Sequence, residues 1–209
     1  MNEKLREDPG DLTEETVDRN PIAQFQKWFG DAAATGMHLP EAMTLATATK
    51  EGRPTARLVL LKNVDKDGFV FYTNYRSAKA KELDENPFAA LVFYWPQLDR
   101  QVRIDGAVSR VSARESDEYF QTRPRESQLG ALASPQSEII ASRDVLEERF
   151  RELERQYEGR PIDRPEHWGG YRLKPERIEF WKSRPGRLHD RILYELQPDG
   201  SWSIKRLAP

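Results

Sequence analysis

Short runs of β-branched and aromatic residues follow one another through the first half of the chain and limit the folds that it can adopt. Between residues 42 and 111 the sequence contains AMTLATATK, ARLVLLK, GFVFYTN, FAALVFYW and RQVRIDGAVSRV. Turn signals such as KEGRP, DKDG and ENP separate these runs, a pattern that predicts β-strands. Consecutive strands at short spacing favour an antiparallel barrel over a sheet of βαβ units. Three more strands are predicted near the C-terminus, in GYRLKPERIEFWK, RILYEL and SWSIKRL.

Helices are predicted around these strands, so the expected fold class is mainly β with flanking helices. The segment PIAQFQKWFGDAAATG places four apolar side chains on one helical face, namely Ile22, Phe25, Trp28 and Phe29. Shorter helices are predicted in SAKAKELDEN and in ARESDEYFQTR. The second of these ends before Pro124, since the residue that precedes a proline is pushed out of the α region. A longer amphipathic helix is predicted from about Ser142 to Glu158.

The N-terminal end of the chain differs from the rest in its pattern. Residues 1–20 lack apolar periodicity, so we expect them to form a mobile arm. Residues 21–209 are expected to form a single domain.

Composition and motifs argue against several classes of function. The 209 residues include 33 Lys and Arg and 35 Asp and Glu, a formal net charge of −2, which argues against nucleic acid or an anionic membrane as a partner. There is no cysteine, and the three histidines lack metal-ligand spacing, so no metal site is predicted. No Rossmann, P-loop or G-x-S-x-G motif is present. Without a signal peptide or a long apolar run, the chain is expected to be soluble and cytoplasmic.

Two places in the first half could bind an anion. Arg57 and Lys62 bracket an apolar run, and their odd separation puts them on opposite faces of a continuous strand. They are either solvated strand ends or phosphate ligands, since a guanidinium can grip a phosphate through two donors. Ser77 is a predicted N-cap, and Lys79 follows in the first helical turn, where a cation is unfavourable unless an anion binds there. The alternative is a lysine that points into water.

A second group of donors lies further along the chain. Tyr119 and Arg123 are four residues apart on a predicted helix, and Ser127 lies just beyond the proline. These residues form either another small anion site or an ordinary amphipathic helix end. Gln136 and Ser137, in the loop SPQSE, could complete a phosphate site or could be ordinary polar loop residues.

The third candidate is the segment GRLHDR. Arg187, His189 and Arg191 alternate, so in an extended segment all three would face one side, near Trp181. A lone histidine is more often structural, but three basic groups on one face favour a ligand.

Taken in order, these segments resemble the pyridoxamine 5′-phosphate oxidase family. The series is RLVLLK, FYTN with S-x-K, FYW with RQVR, YF with RPRESQ, SPQS, EFW, RLHDR and a terminal RLAP. It runs from about Pro21 to Pro209. The resemblance implies an FMN-binding split β-barrel and a homodimer with FMN between the subunits. It also implies oxidation of pyridoxine 5′-phosphate or pyridoxamine 5′-phosphate to pyridoxal 5′-phosphate, with oxygen as acceptor and hydrogen peroxide as product.

The resemblance also implies roles for individual residues. The FMN contacts would be Arg57, Leu58, Val59, Leu60, Leu61, Lys62, Tyr72, Thr73, Lys79, Gln101, Gln136, Ser137, Trp181 and Arg191. The substrate contacts would be Lys62, Tyr119, Arg123, Ser127, Arg187, Leu188 and His189, of which Arg187 and His189 would be catalytic. Our hypothesis is that Arg187 positions the substrate and stabilises charge, whereas His189 orients the substrate or helps to move a proton.

The chain departs from the family pattern in two places, and two alternative functions remain. One departure is the N-terminal arm, which is more acidic than the family's substrate-covering segment and is assigned no site residues. The family usually has Ser-Arg-Lys where this chain has Ser77, Ala78 and Lys79, and the loss of a charged hydrogen bond would weaken FMN binding by about 1.5–3 kcal/mol. Arg76 is a possible replacement. The alternatives are a related flavin oxidase of phenazine-type biosynthesis and a non-catalytic flavin- or haem-binding barrel.

Overall fold

The computed structural model describes residues 12–209, and within that range strands dominate. The helices are α1 (Pro21–Ala34), α2 (Ala78–Glu85), α3 (Ala113–Thr122), α4 (Arg125–Ala133) and α5 (Arg143–Gln156). The strands are β1 (Ala42–Ala48), β2 (Pro54–Leu60), β3 (Asn63–Asp65), β4 (Gly68–Asn74), β5 (Phe88–Trp95), β6 (Arg100–Arg110), β7 (Trp168–Lys182), β8 (Asp190–Leu196) and β9 (Trp202–Arg206). Short 3₁₀ turns lie at Pro96–Leu98 and Pro185–Arg187.

All the strand pairs are antiparallel, as the short strand spacing predicts. The main order is β2-β1-β5-β6-β7-β4-β3, and β8 pairs with both β7 and β9. The 15-residue strand β7 makes this possible, because it pairs with β4 near its start and with β8 near its end. The outermost strands of the main order, β2 and β3, do not pair with each other. One backbone hydrogen bond of 2.8 Å, from the Lys62 N–H to the Val70 carbonyl, joins the segment after β2 to β4. The curved sheet is therefore a barrel that stays open beside β2.

Helix α1 packs against the interior of this barrel, and its predicted apolar face is confirmed. Its N-cap is Asn20, whose side chain accepts hydrogen bonds from the first turn. The ring of Phe25 is fully buried and lies 4.9 Å from the ring of Phe69 and 5.0 Å from that of Phe93. Aromatic burial of this kind stabilises the core strongly.

The part of the chain that packs on the core begins before residue 21, earlier than the sequence pattern indicates. Leu12 and Val17 are buried in the main core, and the backbone carbonyl of Asp18 accepts a 2.6 Å hydrogen bond from the hydroxyl of Tyr194 on β8. The expectation that the chain packs only from residue 21 onward is therefore wrong for residues 12–20. Two apolar side chains are enough to anchor a segment that has no periodicity. Residues 1–11 of the predicted arm lie outside the described residues.

The helices near the open side are partly as predicted. Helix α3 ends just before Arg123 and Pro124, and α5 starts after Ser142, as expected. Helix α4 was missed because Pro124 was interpreted only as a stop signal. A proline also favours the start of a new helix, and here it occupies the N-cap position of α4. The longest helices of the described chain have 14 residues each, and none is long and apolar enough to cross a membrane.

Candidate functional site

A cavity of about 500 Å³ lies where the barrel is open. It is bounded by the edge of β2, by β4, by the start of α2 and by the turn between α3 and α4. Its lining residues are Arg57, Leu58, Val59, Leu60, Lys62, Tyr72, Thr73, Lys79, Tyr119, Thr122, Arg123, Pro124, Ser127, Gln136 and Trp168. Most of the residues that the sequence singled out in its first two-thirds are thus brought together in one place.

Arg57 is held by the protein itself on one side of this cavity. Its Nη1 donates to the Leu45 carbonyl at 3.2 Å and to Thr47 Oγ1 at 2.6 Å. Its Nη2 donates to Thr55 Oγ1 and, at 3.3 Å, to the carboxylate of Glu82 on α2. Each Nη nitrogen therefore already donates two hydrogen bonds. In this arrangement both Nη nitrogens have protein partners, so a bidentate grip on phosphate through both of them would require these contacts to be exchanged.

Glu82 is the residue of this group that the sequence analysis missed. Its carboxylate is nearly buried and accepts hydrogen bonds from Thr47 and Thr55 as well as from Arg57. Burial raises the pKa of Glu82, but these hydrogen bonds and the charge of Arg57 together outweigh that effect. The pKa of Glu82 therefore lies below its usual value. The signal was available, because Glu82 follows Lys79 by three residues and shares its helical face.

Lys79 is the most strongly perturbed cation of the cavity. Its ammonium donates to Gln136 Oε1 at 2.8 Å and to the hydroxyls of Thr73 and Ser77, both at 3.2 Å. Burial, and then the charge of Arg57, lower its pKa to about 8, while Glu82 acts in the opposite direction. Ser77 occupies the N-cap position as predicted, but its hydroxyl does not cap the helix and accepts from Lys79 instead. Lys79 thus points into the protein cavity and not into water.

Arg57 and Lys62 line the same cavity, although alternation predicts opposite faces. The reason is that β2 ends at Leu60, so Lys62 belongs to the connection to β3 and does not follow the strand period. Leu61, between them, is buried in the core and does not line the cavity.

The other side of the cavity is aromatic and carries one half-buried cation. Tyr72 and Tyr119 stack with ring centroids 3.9 Å apart, and Trp168 stacks on Tyr72 at 5.4 Å. The guanidinium of Arg123 lies 4.5 Å from the Trp168 ring centre. Burial lowers the pKa of Arg123 below its usual value, and its Nη1 is buried without a hydrogen-bond partner among the described residues. A buried donor of this kind is rare unless a ligand or water completes it.

Neither Ala78 nor the nearby Arg76 adds charge to the cavity. Ala78 and Arg76 are both exposed, and neither lines it. Arg76 therefore does not replace the arginine that the family pattern has at position 78. Ser137 is also exposed, with φ of +73°, and lies outside the lining although Gln136 belongs to it.

Four of the remaining predicted site residues, Gln101, Trp181, His189 and Arg191, lie together on the outer face of the sheet, and Arg187 and Leu188 belong to the turn that precedes β8. Cross-strand register places Gln101 of β6 beside Trp181 of β7, and Trp181 beside Arg191 of β8. The His189 ring packs on Trp181 with centroids 4.7 Å apart. Arg191 donates to both carboxylate oxygens of Glu179. We call Gln101, Trp181, Arg187, Leu188, His189 and Arg191 the outer group. None of them lines the cavity.

The segment before β8 is not extended, contrary to expectation. Pro185–Arg187 forms a 3₁₀ turn, and both Gly186 and Arg187 have positive φ, of +67° and +62°. Alternation therefore does not place Arg187 on the same side as His189 and Arg191. A non-glycine residue in this region is strained, and such residues concentrate at functional sites.

Comparison with known proteins supports the same reading of the fold. Residues 29–157 match the family model described as pyridoxamine 5′-phosphate oxidase, and residues 168–209 match the pyridoxine 5′-phosphate oxidase C-terminal dimerisation region. The pyridoxine/pyridoxamine 5′-phosphate oxidase of Trichormus variabilis is 58% identical over 198 residues, which cover 95% of this chain and 92% of that protein.

Two solved structures have the same architecture. PhzG from Burkholderia lata 383, in complex with tetrahydrophenazine-1-carboxylic acid, has a TM-score of 0.89 at 30% identity and covers 95% of this chain and 98% of its own. A pyridoxamine 5′-phosphate oxidase-related, FMN binding protein from Nostoc punctiforme has a TM-score of 0.73 at 19% identity, covering 92% of this chain and 100% of its own. The predicted split β-barrel is confirmed.

Proposed function

Because the chain belongs to the pyridoxine/pyridoxamine 5′-phosphate oxidase family, we propose that it oxidises pyridoxine 5′-phosphate or pyridoxamine 5′-phosphate to pyridoxal 5′-phosphate. FMN would be the cofactor, oxygen the electron acceptor and hydrogen peroxide a product, with ammonia released from the amine. The observation that carries the proposal is the buried Arg123 Nη1, which has no hydrogen-bond partner within residues 12–209 and lies in a cavity that holds a second, separate group of cations.

The residues around Lys79 fit the phosphate of FMN. The Lys79 ammonium and the side chains of Thr73 and Gln136 already form one hydrogen-bonded group at the N-terminus of α2. Arg57 adds positive charge beside this group, although its Nη donors are occupied. Helix N-termini and clustered donors favour phosphate, and the FMN binding of the Nostoc punctiforme protein is in keeping with this assignment. When bound there, FMN would supply the redox chemistry, namely hydride acceptance from the substrate carbon and electron transfer to oxygen.

The opposite side fits the phosphate of the substrate. Arg123 Nη1 would donate to a phosphate oxygen, and the hydroxyls of Tyr119 and Ser127 line the cavity beside it. Such charged hydrogen bonds are about twice as strong as neutral ones. The stacked rings of Tyr72 and Trp168 would hold the aromatic parts of the ligands and exclude water.

The outer group would complete the cavity of a second copy of the chain. Trp168, at the start of β7, lines the cavity together with Arg57, but Trp181 lies at the other end of this strand, roughly 40 Å further along it at the usual rise per residue. Trp181, and Arg191 paired beside it, are therefore too far away to share a site with Arg57 of the same chain. The outer face between them exposes apolar side chains, with Leu58 at 72%, Tyr94 at 60% and Leu188 at 73% exposure. Exposed apolar surface of this kind favours a protein interface, and the match of residues 168–209 to a dimerisation region agrees with it.

In such a dimer Arg187 and His189 would reach the substrate bound by the partner chain. Arg187 would position the substrate and stabilise charge at the reacting carbon. Replacing Arg187 by Ala is then expected to reduce turnover far more than FMN retention. Equal losses of both would show that its role is wrongly assigned.

One assay separates this function from the alternatives. The purified protein should show a flavin spectrum and, in air, convert pyridoxine 5′-phosphate to pyridoxal 5′-phosphate and peroxide together. Unphosphorylated pyridoxine is the matched control, and its kcat/KM should be lower because Arg123 finds no partner. Similarity to PhzG raises a phenazine-type substrate as the second candidate. Oxidation of a reduced phenazine carboxylate in preference to the vitamin would favour that candidate, and colour without turnover would favour a binding protein.

A further inference from the structure

The loop that carries Arg187 is closed by an ion pair at its base. We call residues 183–190 the Arg187 loop. At its end, the Asp190 carboxylate accepts a 2.7 Å hydrogen bond from Arg184 Nε, near its start. Both side chains are largely buried, at 16% and 17% exposure. The charged contact therefore joins the two ends of a loop that contains two consecutive residues with positive φ.

Asp190 also ties this loop to the rest of the molecule. Its other oxygen accepts from Arg206 Nη1 of β9 at 2.9 Å. The Nη2 of Arg206 donates to the Leu12 carbonyl at 2.9 Å and to the Glu14 carboxylate at 3.2 Å. The resulting chain of contacts runs from the N-terminal segment through β9 to the Arg187 loop. Burial raises the pKa of Asp190, but the hydrogen bonds and charges of Arg184 and Arg206 together outweigh that effect, so the pKa lies below its usual value. The carboxylate therefore stays ionised near neutral pH.

The same loop fixes one proton position on His189. Its Nδ1 accepts a 3.1 Å hydrogen bond from the backbone N–H of Arg184. An imidazole nitrogen that accepts carries no proton, so this contact selects the neutral tautomer with the proton on Nε2. In that tautomer Nε2 donates a hydrogen bond and does not act as a base.

We propose that Asp190 is a positioning residue, which holds Arg184 and thereby presents the Nε2–H of His189 and the side chain of Arg187 to a substrate. This inference rests on the proposed function, in which those two residues contact the substrate. The strained backbone at Arg187 supports it, because such a conformation persists only when surrounding contacts enforce it. Residues that orient a reacting group in this way commonly change rates strongly when they are replaced.

The test compares two substitutions on the same strand. Asp190→Asn removes the charge that holds Arg184 and Arg206. Glu195→Gln is the matched control, because it also removes one carboxylate of β8 that pairs with two cations, Arg177 and Lys205, away from the loop. For Asp190→Asn we expect kcat/KM for pyridoxine 5′-phosphate to fall about 10- to 100-fold. FMN affinity should stay within about twofold of the parent value, and Glu195→Gln should change neither quantity.

Imidazole ¹⁵N spectra give a readout that is independent of activity. The chain has three histidines, so His189→Gln identifies the signals of His189. The parent should show the Nε2–H tautomer, and Asp190→Asn should shift both nitrogens toward an averaged value. If Asp190→Asn does not fold, Arg184→Gln, which removes the same ion pair from its other side and keeps the backbone N–H of residue 184, is measured in the same way and should give the same changes.

The outcomes are distinguishable. An unchanged His189 spectrum, or an altered spectrum with parental kcat/KM, would overturn the positioning role. A fall in kcat/KM that Glu195→Gln reproduces would overturn it as well. If the parent protein does not oxidise pyridoxine 5′-phosphate, the proposed function fails, whereas the spectra still decide whether Asp190 fixes His189.

Discussion

Two cations in the cavity, Lys79 and Arg57, are each stabilised by the protein in a different way. Arg57 is neutralised by the ionised Glu82 and satisfied by hydroxyl and carbonyl oxygens. Lys79 donates only to neutral oxygens. As a result the charge of Lys79 is the more responsive of the two, both to pH and to a bound anion.

The first prediction concerns that response. In the empty cavity the pKa of Lys79 is about 8, and a bound phosphate dianion would raise it by charge attraction. Above pH 8 the lysine must therefore take up a proton when FMN binds, so affinity falls as pH rises. We expect the Kd for FMN to increase about tenfold between pH 7 and pH 9, measured by quenching of flavin fluorescence.

Two variants control this measurement. Lys79→Arg keeps its charge over that range, so its Kd should not depend on pH. Lys79→Met has no group to titrate, and its affinity should be low throughout. The same slope in Lys79→Met as in the parent would assign the pH dependence to another group.

The second prediction concerns Arg123, a half-buried cation whose buried Nη1 is costly until a ligand binds. Arg123→Met keeps the contact with Trp168 but removes this partly desolvated charge and its unsatisfied donor. We expect the apo protein to gain about 1 kcal/mol, which is roughly 2–4 °C in Tm. The KM for pyridoxine 5′-phosphate should rise about 10- to 100-fold, since a charged hydrogen bond to phosphate is lost.

Calorimetry and steady-state kinetics check both parts of this prediction. Arg125→Met is the control, because the Arg125 guanidinium donates to the carbonyls of Tyr157 and Arg160 outside the cavity. Its KM should remain at the parent value. A lower Tm together with an unchanged KM for Arg123→Met would show that Arg123 is structural.

At the scale of elements, β7 connects the cavity to the outer group. It starts beside Tyr72 and ends beside Arg191. Near the start of β7, the backbone at Gly169 and Gly170 lies so close to neighbouring side chains that only glycine fits. A Cβ at Gly170 would lie 2.8 Å from Tyr72 Cε1 and 2.7 Å from Val111 Cγ2, closer than packed carbons allow.

The third prediction follows from this close approach. Gly170→Ala should displace the Tyr72 ring from its stack with Tyr119 and Trp168, because neither the stack nor Val111 leaves room for the methyl group. We expect a loss of about 1–3 kcal/mol in the free energy of unfolding, measured by urea denaturation, and weaker binding of both ligands.

Gly130 provides the matched glycine substitution. It lies inside α4, and a Cβ there would meet nothing within 4 Å. Gly130→Ala should therefore stabilise the protein by about 0.5–1 kcal/mol through helix propensity. Equal destabilisation by the two alanines would mean that the contact at Gly170 is not the cause.

At the scale of the whole molecule, the cavity and the outer group lie too far apart on one sheet to form one site. A dimer solves this only if each site takes its cavity from one chain and its Arg187 loop from the other. Such a site obeys the two-fold symmetry expected of a homodimer.

The fourth prediction uses this shared construction. Chains carrying Arg123→Met and chains carrying Arg187→Ala are co-expressed with different tags, and the heterodimer is isolated. One of its two sites combines both defects, whereas the other combines two intact halves. At substrate concentrations well below KM we expect about half of the parent activity, although each homodimer has little. A heterodimer as inactive as the homodimers would place both residues in the same chain's site.

The sequence was most informative where local pattern controls structure. Strand runs, the apolar face of α1 and the end of α3 at Pro124 depend on neighbouring residues, and the structure confirms each. Several site residues could also be predicted from local pattern. A cation in the first turn of a helix, such as Lys79, is unfavourable unless an anion binds there, and Arg123 shares a helical face with Tyr119. Glu82 and Trp168 were missed, since their role depends on partners that are distant in the chain.

What the sequence alone determined is therefore most of the elements, with α4 and β3 as exceptions, the family resemblance and the charged groups available for two phosphates. Only the tertiary structure decided which of those groups meet. It brought Lys62 into the same cavity as Arg57 by ending β2 at Leu60, and it gave the Arg57 donors four protein acceptors, Glu82 among them. It also packed His189 of the Arg187 loop on Trp181. The physical reason is that periodicity acts over a few residues, whereas contacts between strands far apart in the chain are set by the closure of the sheet.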